Sequence, residues 1–229
     1  SHELRTPVAA ILGASDALLA NDFTPGIQRQ LHDEINTASI RLNRLIGNLL
    51  SMSRIESGLI TPRPDWTDVH DLARSVTDQL RNELKPFRTE VIIPAGIPLV
   101  RIDYGLMEQA LYNLVLNAAQ HSTEGSRIRI KFFIDNGILV IQVMDRGPGF
   151  PPDEIESAFT KFFRGRQAAT GGSGLGLSIV KGFTEAQKGS VSVENRKNGG
   201  ALFTIKIPVE TSDFGNVIIQ PPEEGGTTA

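Results

Sequence analysis

Leu31, Ile35, Ala38, Leu42, Leu45, Leu49 and Met52 follow one another at alternating steps of four and three residues. That spacing is an unbroken a/d heptad, the pattern of a helix whose apolar seam must be covered by other helices. Ile46 and Leu50 widen the stripe beyond a two-helix seam. Upstream, Leu4, Val8, Ile11 and Leu18 recur at helical spacing, and a break follows at Asn21–Asp22 and Pro25–Gly26. Ser57-Gly58 closes the second helix. Two antiparallel helices cannot bury so wide a stripe alone. The economical solution is a homodimeric four-helix bundle. The alternative is a hairpin docked on the rest of its own chain.

Beyond Pro62 and Pro64, which mark a linker, the pattern changes. Asp68 is a good N-cap for an amphipathic helix running to about Leu84. Short β-rich runs follow at Glu90–Ile93 and Leu99–Ile102, and Asp103 opens a helix to about His121. Ile128–Ile134 and Ile138–Met144 alternate as a hairpin around Asn136-Gly137, a turn dipeptide. A polar stretch rich in Gly and Pro covers Arg146–Ser173, then a helix runs from about Gly174 to Gln187. Strands at Ser190–Glu194 and Ala201–Ile207 flank an Asn198-Gly199-Gly200 turn. The result is an α+β sandwich, an antiparallel-rich sheet with three helices on one face. The expected domains are a helical hairpin at 1–60, a sandwich at 61–208 and a mostly disordered tail at 209–229, within which Val217–Ile219 could pair locally.

Composition narrows the chemistry. The 229 residues carry no Cys, which excludes disulfides, thiolate metal sites and Cys nucleophiles. A net charge of −3 argues against a phosphate-backbone binder. No apolar run approaches the ~18 residues of a membrane span, and no signal peptide is present. The chain begins at Ser1 with a candidate functional residue at position 2, and reads as a piece of a longer protein. The 22 Gly are the one excess, and they are unevenly placed.

Four motifs carry chemistry. In Ser1-His2-Glu3-Leu4-Arg5-Thr6-Pro7, His2 and Thr6 share a helix face at i,i+4. A carboxylate beside an exposed imidazole can hold the Nδ1 proton and leave Nε2 free to attack. Pro7 removes a backbone N–H and loosens or kinks that turn. Without a second His at i+4, this is not a zinc helix. In the second motif, Asn113 and Asn117 lie at i,i+4 in a segment ending Gln120-His121; amide oxygens suit a hard cation such as Mg²⁺ that also leans on substrate phosphates. In the third, Asp145-Arg-Gly147-Pro-Gly149-Phe150 follows an apolar strand, where a carboxylate can accept from an exocyclic amine such as adenine's. In the fourth, Gly171-Gly172-Ser-Gly174-Leu175-Gly176 runs into a helix N-terminus and presents N–H groups to phosphates. It is neither a P-loop nor a dinucleotide fingerprint, because no Lys-Ser/Thr follows and Ile179 stands where the third glycine belongs.

In this order and spacing, the motifs resemble the catalytic core of two-component sensor histidine kinases over roughly residues 1–208. The first resembles the H box, the Asn helix the N box, Asp145–Phe150 the G1 box and Gly172–Leu177 the G2 box. Phe159-Thr-Lys161-Phe162-Phe163-Arg164 resembles the F box of the ATP lid. The Trp66 segment and the Asn195–Phe203 run are most similar to Kdp-type potassium-responsive kinases. The resemblance implies a dimerisation and phospho-acceptor hairpin followed by a Bergerat-type ATP-binding sandwich. It makes His2 the phospho-acceptor, Glu3 its orienting or deprotonating acid, and Thr6 the residue that places water when the regulator is dephosphorylated. It makes Asn117 the Mg²⁺ ligand, with Asn113 its partner on the triphosphate side, and Asp145 the adenine reader, with Gly147 and Gly149 giving the base close access. Gly172, Gly174 and Gly176, with Leu175 among them, form the phosphate loop. Lys161, Phe162 and Arg164 belong to the lid, and its basic residues reach phosphates. ATP and Mg²⁺ are the implied cofactors. A second copy of the chain and a response-regulator receiver domain are the implied partners, with no nucleic acid. A sensor and membrane anchor upstream of Ser1 would make this the cytoplasmic part.

Two positions depart from the family pattern. Gln120-His121 stands where Lys-Tyr is common, so a positive charge near phosphate is lost while His121 can still stack on adenine. Gln187-Lys188 replaces the usual His-Gly and reads as structural. Related gyrase, heat-shock-chaperone and mismatch-repair ATPases use a Glu one turn before the metal-binding Asn. Asn113 holds that position here and cannot be a general base. A degenerate kinase serving as a dimeric scaffold or phosphatase is the other alternative, motivated by Gln120 alone.

Overall fold

A computed structural model describes residues 2–20, 23–163, 165 and 174–212, with only the backbone of His2. The first two helices are α1 (His2–Ala20) and α2 (Pro25–Glu56). The α1 helix runs unbroken through Pro7, which is buried. Asn21 and Asp22 of the expected break lie outside the described residues. Pro25 occupies the first turn of α2, where its missing N–H costs nothing, and Ser57 caps the far end before Gly58 at φ 64°. Along α2, Ala38, Leu45, Asn48 and Met52 are buried, while Ile40, Ile46 and Leu50 remain 62%, 45% and 59% exposed. The heptad seam is covered at Ala38, Leu45 and Met52, while Leu49 is 40% exposed and the residues that widen the stripe also stay open.

The second region contains β1 (Asp65–Thr67), α3 (Val69–Gln79), α4 (Arg81–Leu84), β2 (Arg88–Ile92), β3 (Val100–Ile102), α5 (Tyr104–His121), β4 (Arg127–Asp135), β5 (Ile138–Met144), α6 (Gly176–Ala186), β6 (Ser190–Asn195) and β7 (Ala201–Pro208). The Asp68 carboxylate accepts from His70 N at 2.8 Å and starts α3. The expected single helix to Leu84 is instead two pieces. Leu80, fully buried, leaves helical geometry at φ −99° and ψ 20°. Asp103 starts α5 by accepting from Leu106 N at 3.0 Å, and its other oxygen takes Arg63 N at 2.7 Å.

Five strands form the main sheet in the order β2-β4-β5-β7-β6. All pairs are antiparallel except β2 with β4. The β4–β5 turn uses Asn136 and Gly137, both at positive φ, as a type I′ hairpin requires. Alternate residues of β4 (Ile128, Ile130, Phe132) and β7 (Ala201, Phe203, Ile205, Ile207) are buried beneath α3, α5 and α6. A separate two-stranded sheet pairs β1, which the linker reading passed over, with β3.

The expected tail is ordered at its start. Val100 bridges Thr211, Arg101 N donates to Glu210 O at 3.0 Å, and Ser212 N donates to Leu99 O at 2.9 Å. Residues 213–229, with Val217–Ile219, lie outside the described residues. The boundary at residue 60 is not a clean cut either. Met52 belongs to the sandwich's core, and Ile55 packs so closely on Gly182 of α6 that a Cβ there would stand 2.6 Å from its Cδ1. None of the described helices is long and apolar enough to cross a membrane.

Candidate active site

Three sequence-distant segments meet where β5 ends, α5 ends and α6 begins. Asp145 follows β5 and is 3% exposed. Its Oδ1 accepts two backbone N–H groups, Gly147 at 2.8 Å and Ala201 at 3.0 Å. Among the described residues Oδ2 accepts none, so the carboxylate is held by one oxygen and offers the other.

His121 ends α5 beside this loop. A Cβ on Gly147 would lie 2.5 Å from the His121 carbonyl oxygen, so only glycine lets the loop close on the helix end. The equivalent Cβ on Gly149 would lie 2.5 Å from Asn195 Oδ1. Both glycines are thus demanded by the chain's own packing. Burial holds the His121 imidazole below its ordinary value of 6.5, against the opposing pull of the Asp145 carboxylate. The ring is therefore neutral at pH 7, which suits stacking.

Asn113 sits two turns before His121 on α5. It is 7% exposed, and its Nδ2 is buried without a hydrogen-bond partner. Its Oδ1 lies 3.6 Å from where a Cβ on Gly176 would stand, at the start of α6. Among the described residues no side chain caps that helix start, and its first N–H groups point to where an anion would be favoured. Asn117 lies one turn along α5, half-buried. The structure therefore places Asn113 beside Gly176 and His121 beside the Asp145 loop, with Asn113 Nδ2 buried without a partner and Asp145 Oδ2 accepting no bond among the described residues.

Other expected residues fall elsewhere. Lys161 pairs with Glu56 of α2 at 2.8 Å. Phe162 is exposed at φ 60°, with its backbone against Gly174. Leu175, 2% exposed, points into the core; its backbone rather than its side chain belongs to the loop. Gln120 lines a second cleft of about 440 Å³ with Arg44, Glu83 and Phe87. Arg164 and Gly172 lie outside the described residues, as does the side chain of His2. On α1, Glu3 is half-buried and Thr6 exposed. Gln187 is structural as expected: its Oε1 accepts from Asp103 N at 2.7 Å and ties the end of α6 to the start of α5.

Sequence reasoning missed the supports of the Asp145 loop. Arg196 Nη1 donates to Asp145 O at 2.6 Å, and Arg146 Nη1 donates to Asn198 O at 3.2 Å. Both tie the loop to the β6–β7 turn, about fifty residues away, and no local pattern announces them.

A sheet covered on one face by three helices, with a buried Asp and an Asn helix flanking a glycine loop, defines a nucleotide-binding ATPase fold. Residues 102–211 match the family of histidine kinase-, DNA gyrase B- and HSP90-like ATPases, and residues 1–58 match the His kinase A phospho-acceptor domain. The sensor protein KdpD of Escherichia coli is 32% identical over 216 residues, covering 93% of this chain and 24% of that protein. The sensor-like histidine kinase SenX3 of Mycolicibacterium smegmatis is 35% identical over 214 residues, covering 91% of this chain and 55% of its own. Full-length ShkA, solved in complex with AMPPNP, superimposes with a TM-score of 0.70 at 27% identity, covering 92% of this chain and 45% of ShkA. The chain belongs to the sensor histidine kinase family and spans between a quarter and about half the length of these curated relatives.

Proposed function

We propose that this chain binds MgATP, transfers its γ-phosphoryl group to His2 and passes it to an aspartate of a response-regulator receiver domain. The observation that carries the nucleotide half is a set of polar groups open to a ligand at the ends of β5 and α5 and the start of α6. Asp145 Oδ2 matches the donor of an adenine amine, while Asn113 Nδ2 and the uncapped start of α6 match phosphate oxygens. Asn117 would hold Mg²⁺ together with phosphate oxygens. The ion, when bound, neutralises triphosphate charge.

At the other end, the His2 Nε2 lone pair attacks the γ-phosphorus in line, the bond to the bridging oxygen breaks, and ADP leaves. Glu3 takes the Nδ1 proton, so the product is a neutral imidazole phosphoramidate. Positioning and charge stabilisation supply most of the acceleration. Hydrolysis in place of transfer lacks its base, since Asn113 stands where a carboxylate would have to be.

The exposed Leu12, Ile40, Ile46 and Leu50 of the hairpin support a homodimer through a four-helix bundle. The same bundle presents the α1 surface around His2 to the regulator, with Thr6 placing water for the regulator's dephosphorylation. The chain is then the cytoplasmic part of a membrane-anchored sensor. Incubation with γ-labelled MgATP tests the reading: the chain takes up an acid-labile, alkali-stable label and His2→Ala takes up none. Label on His2→Ala overturns His2 as the acceptor.

A further inference from the structure

The loop from Asp145 to Phe150 leaves the sheet at the end of β5 and has no strand partner of its own. One side chain supplies what a strand would. The Asn195 amide, at the end of β6, makes a two-point bond to the Phe150 backbone. Phe150 N–H donates to Oδ1 at 2.8 Å, and Nδ2 donates to Phe150 O at 2.7 Å. This is the pairing a neighbouring strand residue would offer, delivered by a side chain. The fit is tight, because Gly149 passes directly over Asn195 Oδ1. Beyond the clamp, the Phe150 ring stands edge-on to the core residue Phe203, with centroids 6.0 Å apart. At its other end the loop is fixed through Asp145 itself, by Ala201 N on Oδ1 and Arg196 on the carbonyl. The β6–β7 hairpin thus grips both ends of a six-residue loop whose middle carries no ladder bonds.

We propose that Asn195 is a positioning residue for base recognition. By pinning Phe150 it fixes the loop so that the Asp145 carboxylate presents its free oxygen to the base amine in one orientation. It acts through the Phe150 backbone and does not itself touch the nucleotide. The proposal rests on the reading of Asp145 as the adenine acceptor. The side chain is specific for the task. Asp keeps the acceptor but loses the Nδ2 donor and sets a carboxylate against the Phe150 carbonyl. Ala loses both bonds.

The test compares ATP with inosine triphosphate, which carries a carbonyl where adenine carries its amine, by titration calorimetry on the 229-residue chain. The parent chain prefers ATP. Asn195→Ala and the near-isosteric Asn195→Asp weaken ATP about tenfold, the effect of losing one or two net hydrogen bonds. Both leave inosine triphosphate nearly unchanged, so the preference collapses. In autophosphorylation, KM for ATP rises by the same factor while kcat holds. Combining Asn195→Ala with Asp145→Asn adds little beyond Asp145→Asn alone, because one interaction is lost by either route. Folded variants that keep the full ATP preference, or that lose both nucleotides equally, overturn the role. Failure of the parent chain to prefer ATP overturns instead the assignment of Asp145, and the two failures are therefore distinguishable.

Discussion

The sandwich and the helical hairpin solve the burial problem differently. In the sandwich, Phe132, Phe203, Leu72, Met107, Leu111 and their neighbours are fully buried within one chain. In the hairpin, the buried residues are few and lie along the α1–α2 contact and toward the sandwich, while Leu12, Leu19, Ile40 and Leu50 are more than half exposed. The first region is finished within its own chain, with Met52 of α2 completing the core. The second is an amphipathic unit whose outer stripe awaits a second copy. The contrast explains why a heptad can be so regular in sequence and yet stay uncovered in one protomer.

The contrast can be broken or sharpened by substitution, from the largest effect downward. Phe203→Ala removes a fully buried ring from the sandwich and should cost about 3–5 kcal/mol in denaturant unfolding. Should the loss be small, the sandwich core is not the self-sufficient unit drawn here. Ile46→Glu with Leu50→Glu should weaken self-association roughly a hundredfold in sedimentation, since each change places a charge where apolar surface is buried. Melting of the sandwich and ATP affinity should not move. An unchanged oligomeric state would put the dimer face elsewhere.

Gly182→Leu tests the seam where the two regions touch. The new side chain must displace Ile55, and overpacking there should cost about 1–3 kcal/mol. The half-exposed Lys161–Glu56 pair should matter less: Lys161→Ala should shift stability by under about 1 kcal/mol, less still at high salt.

The smallest effect is a pH dependence. Burial lowers the His121 pKa below 6.5 in the folded chain, so between that lowered value and 6.5 the unfolded chain binds more protons. Stability from this group is complete above pH 6.5 and is lost as pH falls through the folded value. Melting temperatures should drop across this window, and His121→Phe should reduce the drop. An identical pH profile for the variant would show that the ring does not carry it.

How far these features could be read in advance depends on the range of the interaction. Asp68 and Asp103 announce helix starts because the cap is made within three residues. Asn136-Gly137 announces its hairpin because both residues must take positive φ. The Asn, Asp and Gly motifs of the nucleotide cleft were legible as a family pattern, and the structure places Asn113 beside Gly176 and His121 beside the Asp145 loop. The parallel β2–β4 pair, the break at Leu80 and the β1–β3 sheet were not legible, because each is set by partners far along the chain. The Lys161–Glu56 pair was not legible for the same reason, since nothing near Lys161 in sequence points to Glu56. Asn195 stands at an unremarkable strand end, and its partner is forty-five residues away.

The small sheet has a mechanical meaning. Its central strand, β3, holds β1 on one edge and residues 210–212 on the other. The chain therefore enters and leaves the sandwich at the same corner, and the Asp103 bond to Arg63 fastens that entry. Tension on either end loads a few short-strand bonds and bypasses the five-stranded sheet. Both ends of the sandwich are thus tied at one short strand, and α2 holds it a second time through Met52, Ile55 and the Glu56–Lys161 pair.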